Sequence, residues 1–162
     1  MRPLELSKDE PIRRSHYDQW LEEANAVSWL WRYCPPVKFL ITEARLTRTW
    51  HELRQHLCER NEMDWGDLTE AEASAKQRLV KVLSDEIWGR RARFHPDDNA
   101  EVMFWDRLDG LTEVSIVVDL EEEFNLPKDY FDSDHWWGMT MKELTIELAA
   151  HKSKMEKDHD RS

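Results

Sequence analysis

The chain has 162 residues, enough for one ordinary domain or a small domain with a substantial extension. With only four glycines and six prolines and 40% apolar residues, it is not a disordered chain, and its formal charge of −11 opposes binding to nucleic-acid phosphates or anionic lipid. Residues 1–68 carry −2 and residues 69–162 carry −9, a field that attracts a basic protein surface, although acidity also serves solubility alone.

Residues 1–14 read as a polar lead-in. Met1–Glu10 is charged and contains proline, unlike the basic-then-apolar order of a signal peptide. Ser15 with Asp18 predicts a capped helix with Tyr17, Trp20, Leu21, Ala24, Val27 and Trp31 on one face, ending near Tyr33 before Pro35-Pro36. Core packing is the simplest use of Trp20, Trp29 and Trp31, with Trp29 off the main face and turned to a second domain or a partner. Phe39, Leu46, Trp50, Leu53 and Leu57 predict a second helix through about Arg60, in which Val37–Thr42 also reads as extended. The pair would form an αα-hairpin. Arg32, Lys38 and the two prolines interrupt the most apolar segment, Ala24–Ile41, and so oppose a membrane span. Cys34 and Cys58 have no metal or redox spacing, and a reduced cytoplasmic setting is expected.

Asn61–Leu68 is polar, contains Gly66 and reads as a linker. Thr69 with Glu72 predicts a capping box that opens a long helix with Leu79, Val80, Leu83 and Ile87 inside, closed by Trp88-Gly89. Arg90, Arg91 and Arg93 then complement the helix dipole and salt-bridge the acidic helix that follows, with an anion site as the costlier reading. Residues 94–108 read as a long loop that packs its own apolar side chains.

In Asp109–Phe124, Asp109 is the expected N-cap, and Leu111, Val114, Val117, Val118 and Phe124 the expected inner face. Glu113, Asp119, Glu121, Glu122 and Glu123 make the rest acidic. Asn125-Leu126-Pro127 stops the helix. A short helix is expected within Asp129–Asp134. Thr140 with Glu143 caps a last helix lined by Met141, Leu144, Thr145 and Leu148, and Lys152–Ser162 is a charged tail expected to fray. No alternating strand pattern appears, so the fold class is all-α.

Asp109–Phe124 resembles, without gaps, the second helix of acyl carrier proteins, in which an Asp-Ser-Leu motif opens an acidic helix ending in a Glu-Glu-Glu-Phe-like run. The order of long helix, long loop, acidic helix, short helix and threonine-capped last helix extends the resemblance over about Thr69–His151. It implies a four-helix carrier bundle at 69–152, preceded by a Trp-rich helical hairpin and linker at 1–68 and followed by a charged tail at 153–162. The family's phosphopantetheine-bearing serine corresponds to Gly110, which has no hydroxyl. Around a helix Thr112 lies roughly 200° and Ser115 roughly 140° from position 110, so neither replaces it. Bulky neighbours such as Trp105, Trp136 and Trp137 would fill the groove that an acyl chain otherwise enters.

No cofactor, metal or catalytic residue is therefore assigned. His51, His56 and Cys58 lack the four-residue spacing of a helical metal pair, and neither a phosphate loop nor a Ser–His–Asp pairing is evident. The expected function is protein interaction, with Asp109, Glu113, Asp119, Glu121 and Glu122 meeting a basic partner surface, and not nucleic acid or membrane. The alternative is a carrier loaded at an unusual residue in fatty-acid, polyketide or peptide biosynthesis.

Overall fold

The computed structural model describes residues 6–26, 35–104, 110–127, 130–131, 134–136 and 138–159, with the side chains of 110–114, 134 and 155–159 outside that description. Among the described residues there are six α-helices and no strand, in keeping with the all-α class. Helix α1 spans Arg14–Asn25. Its N-cap is Arg13, whose N–H donates to His16 Nδ1 at 3.2 Å, so the predicted cap Ser15 lies within the first turn. At the other end, the Arg45 guanidinium donates to the carbonyls of Glu23 and Ala26, each at 3.2 Å, and satisfies groups that the helix leaves open.

Helix α2 spans Pro35–Glu59. Proline suits the first turn of a helix, where the missing N–H would have no partner and the fixed φ is already helical. Val37–Thr42, readable either way from sequence, is accordingly helical. Leu46, Trp50, Leu53 and Leu57 are buried as expected, but Phe39 is 64% exposed. Thr42 Oγ1, three residues further along α2, donates to Ala24 O near the end of α1 at 3.4 Å. The predicted helix end near Tyr33, with Val27, Trp29, Trp31 and Cys34, lies outside the described residues.

Helix α3 spans Glu70–Leu83 behind a reciprocal capping box. Thr69 N–H donates to Glu72 Oε2 at 2.7 Å, and Glu72 N–H donates to Thr69 Oγ1 at 3.3 Å. A π turn, Ser84–Trp88, continues it. Gly89 has φ +95°, a conformation that favours glycine, and the Arg54 guanidinium lies close by, with Nη2 3.0 Å from where a Cβ would stand. The expected loop at 94–108 contains a helical turn, α4 (Ala100–Met103), because Asn99 Oδ1 accepts from Val102 N–H at 3.1 Å and Ala100, Val102 and Met103 are buried.

Helix α5 spans Gly110–Glu123. It ends in paired bonds from Leu126 N–H to Glu121 O (2.8 Å) and from Asn125 N–H to Glu122 O (3.3 Å), with Asn125 at φ +49°. This is a Schellman stop, in which asparagine takes the left-handed position. The buried stripe is Ile116, Leu120 and Phe124, while Val117 is half-buried and Val118 is 44% exposed. The inner face is thus rotated from the predicted one. Leu111, Val114 and the capping role of Asp109 lie outside the description. So does half of the predicted helix at Asp129–Asp134, and the helical turn described nearby is Asp134–Trp136.

Helix α6 spans Met141–His159, with Thr140 N–H donating to Glu143 Oε2 at 2.8 Å and Glu143 N–H to Thr140 Oγ1 at 3.2 Å. Its inner face of Met141, Leu144, Thr145 and Leu148 is buried as predicted. The helix runs on to His159 through residues expected to fray. It packs along α3, and one apolar core extends from Ile12 and Trp20 through Trp50 and Leu79 to Leu148.

A buried ion pair joins the N-terminal segment to this core. Arg60 Nη1 lies 2.6 Å from Asp98 Oδ2, and both side chains are fully buried. Asp98 also accepts from Ile12 N–H (2.8 Å) and His95 N–H (2.7 Å), while Arg60 Nη2 donates to Glu10 O at 2.8 Å. Burial pushes the Asp98 carboxyl up, and the guanidinium and the two amides oppose that push. Arg60 also lies 3.3 Å from His56 Nε2.

Burial first, and then Arg60, lower the His56 pKa from 6.5, outweighing the carboxylates of Glu59, Glu10 and Asp9. The folded state therefore binds this proton less well than the unfolded chain. The stability His56 confers is present above pH 6.5 and is lost as pH falls from there through the folded pKa. His56→Gln is expected to flatten the fall in urea midpoint between about pH 7 and pH 5, with little change at pH 8. An unchanged slope would remove His56 as its source.

Candidate functional site

Two surfaces carry chemistry. The first is the outward side of α5. Ser115, Val118, Asp119 and Glu122 recur at three- and four-residue intervals opposite the buried stripe, and all are exposed. Of the residues predicted to meet a partner, Asp119 and Glu122 therefore share a free face. Glu121 is half-buried and accepts from Phe131 N–H at 3.3 Å, which ties it to the chain's own backbone. Asp109 and the Glu113 side chain lie outside the description. Glu123 pairs with Arg78 of α3, so among the described residues the cation that meets the acidic helix comes from α3, where the Arg90–Arg93 cluster was expected to supply it.

Phe131, whose N–H reaches Glu121 of α5, belongs to an aromatic cluster. Phe104, Phe131 and Trp136 have ring centroids 5.3–5.4 Å apart, and Trp136 Nε1 donates to Phe131 O at 2.8 Å. The Tyr130 hydroxyl donates to Glu147 at 2.7 Å, and burial followed by that carboxylate pushes its pKa up. Trp105 and Trp137 lie outside the described residues.

The second surface is a cleft of about 720 Å³ on the outer side of α3. One wall is the α3 stripe Ala73, Lys76, Gln77, Val80, Lys81, which runs into Ser84 and Asp85 of the π turn. The other walls are the segments 62–68 and 90–94. Trp65 is only 4% exposed and fixes the 62–68 wall, since its Nε1 donates to Phe94 O at 3.3 Å. Gly66 follows at φ +71°, and its N–H donates to Asp64 Oδ1 at 2.9 Å in an Asx turn. Arg93 N–H donates to Leu57 O at 2.9 Å and anchors the third wall to α2.

The cleft brings four cations, Lys76, Lys81, Arg90 and Arg93, against the carboxylates Glu62 and Asp85. Arg90 pairs with Asp85 at 3.3 Å, and Lys76 stands over the Trp65 ring, 4.8 Å from its centroid. Among the described residues Lys76, Lys81 and Arg93 form no ion pair.

The sequence indicated Arg90 and Arg93 but not Trp65, Lys76 or Lys81. Two signals were there to find: a tryptophan flanked by Met63 and Leu68 in a polar stretch, and lysines on the α3 stripe that borders Ala75, Leu79 and Leu83. Among the described residues no three of His, Cys, Asp and Glu gather with metal-binding geometry, and no helix is long and apolar enough to cross a membrane. No protein-family model, curated protein or solved structure matches the chain.

Proposed function

We propose that the chain is a non-catalytic, cytoplasmic, acyl-carrier-protein-like module without a phosphopantetheine arm, and that it docks a basic protein surface on the outward face of α5. The observation that carries this reading is the composition of that face: Val118, 44% exposed, lies beside exposed Asp119 and Glu122. An apolar contact flanked by carboxylates suits a partner whose own apolar spot is ringed by lysine or arginine, with the charges mainly steering encounter and orientation. The order α3, α4-bearing loop, α5, 3₁₀ turn and capped α6 supports the carrier-like layout. Gly110 opens α5 without a hydroxyl, in line with lost carrier chemistry.

Affinity capture with Asp119→Lys/Glu122→Lys tests the docking face. Both positions are exposed, so the variant is expected to fold normally by circular dichroism. It is expected to lose about tenfold or more of the basic proteins that the wild type retains at low salt. An unchanged set of retained proteins sinks the assignment.

The exposed hydroxyl of Ser115 favours one other reading, a carrier loaded away from position 110. Incubation with coenzyme A and a broad-range phosphopantetheinyl transferase, followed by intact mass, is expected to give no added arm. A full mass gain would put the carrier reading first.

A further inference from the structure

The cleft on the outer side of α3 is not used by the docking face. Its floor is apolar and fixed: Trp65 and Phe94 are each 4% exposed, and half-buried Val80 rises between the walls. Its rim is cationic on a chain whose net charge is −11. Helix-dipole compensation explains Lys81 in the last turn of α3, but not Lys76, which lies well before the helix end. Nor does pairing with the chain's own acids explain Lys76, Lys81 and Arg93, which have no ion pair among the described residues. Three cations facing an apolar floor match a ligand with an anionic head and an apolar body.

We infer that this cleft binds a small amphipathic anion, a compact apolar or aromatic body bearing a phosphate monoester or carboxylate. The body would lie against Trp65, Val80 and Phe94, with the head between Lys81 and Arg93. A volume of about 720 Å³ falls within the roughly 300–1,000 Å³ of small-ligand clefts, and the walls are pre-formed by the Trp65–Phe94 and Arg93–Leu57 bonds. Preorganisation of this kind spares the ordering cost that a mobile site would incur on binding. Lys76 over the Trp65 ring adds a third cation and shields that ring until a ligand arrives.

The test uses the full chain and 1-naphthyl phosphate as the probe, followed by amide and indole proton–nitrogen spectra. Saturable shifts are expected at the Trp65 indole, at Gly66, along 76–85 and along 90–94. Neutral 1-naphthol and inorganic phosphate should each bind about tenfold or more weakly, since each lacks one half of the recognition. Lys81→Glu/Arg93→Glu changes two exposed residues and should weaken the naphthyl phosphate by about tenfold or more while leaving the free spectrum folded. Ala73→Trp, which fills the cleft from an exposed position, should also abolish the shifts. The inference is overturned if no saturable shift appears, if the shifts centre on α5, if 1-naphthol binds equally well, or if the charge-reversed variant binds like the wild type.

Discussion

Asp98→Ala is expected to cost about 3–5 kcal/mol, because it leaves a fully buried guanidinium without its carboxylate. That is a large part of the roughly 5–15 kcal/mol available to a domain, and thermal unfolding should begin on the order of 10 °C earlier. The ion pair is only part of the loss. Ile12 N–H and His95 N–H both point at the carboxylate and would be left unpaired in a site closed to water. Asp98→Asn should recover only part of this, since it removes the charge opposite Arg60 and either orientation sets its amide NH₂ against a donor, Ile12 N–H at one position or Arg60 and His95 at the other.

Arg60→Met/Asp98→Leu separates charge from connectivity. Buried ion pairs often give way to apolar pairs at no loss, and Arg60 Nε is already buried without a hydrogen-bond partner among the described residues. Here the double variant is still expected to be less stable than the wild type. It orphans the amides of Ile12 and His95 and removes the donor to Glu10 O. Urea unfolding of the two single variants and the double variant measures both quantities. A double variant as stable as the wild type would show that the pair contributes nothing beyond its volume.

The features legible in the sequence are those whose partners lie within one turn. The Thr69/Glu72 and Thr140/Glu143 boxes and the stop at Gly89 were readable because each bond or constraint is local. The inner face of α5 was not. Ile116, Val117, Val118 and Leu120 are all apolar, so spacing admits more than one buried stripe, and packing against the rest of the core selects Ile116, Leu120 and Phe124. The same limit hid the cleft. The lysine stripe on α3 was visible, but its facing wall depends on Trp65 reaching Phe94, 29 residues away, from a stretch that reads as a linker. Asp98 gave no local sign either, since it joins Ile12 across 86 residues and Arg60 across 38.

Trp88→Ala is expected to match the Asp98 variant in cost, at about 3–5 kcal/mol, by another route. The α3 stripe Ala75, Leu79, Leu83 continues to Ile87 at four-residue spacing, and an unbroken α-helix would carry residue 88 about 100° off that stripe. The π turn Ser84–Trp88 lets Ile87 and Trp88 both enter the core. Trp88 there stacks on Trp50 of α2, with centroids 5.6 Å apart and planes at 22°, and its Nε1 donates to Met103 O at 2.6 Å. Truncation opens a cavity and leaves a buried carbonyl unpaired. Trp88→Phe keeps part of the ring and should cost less, about 1–3 kcal/mol, chiefly through the lost hydrogen bond. A Trp50→Ala/Trp88→Ala cycle should give a coupling of about 0.5–1.5 kcal/mol from the stacked pair. Arg54 Nε donates to Trp88 O at 2.9 Å, and the Arg90–Phe94 wall of the cleft begins just beyond. Loosening Trp88 should therefore speed amide exchange along 90–94 more than along the outward face of α5. Equal acceleration at both would mean that Trp88 acts only through global stability.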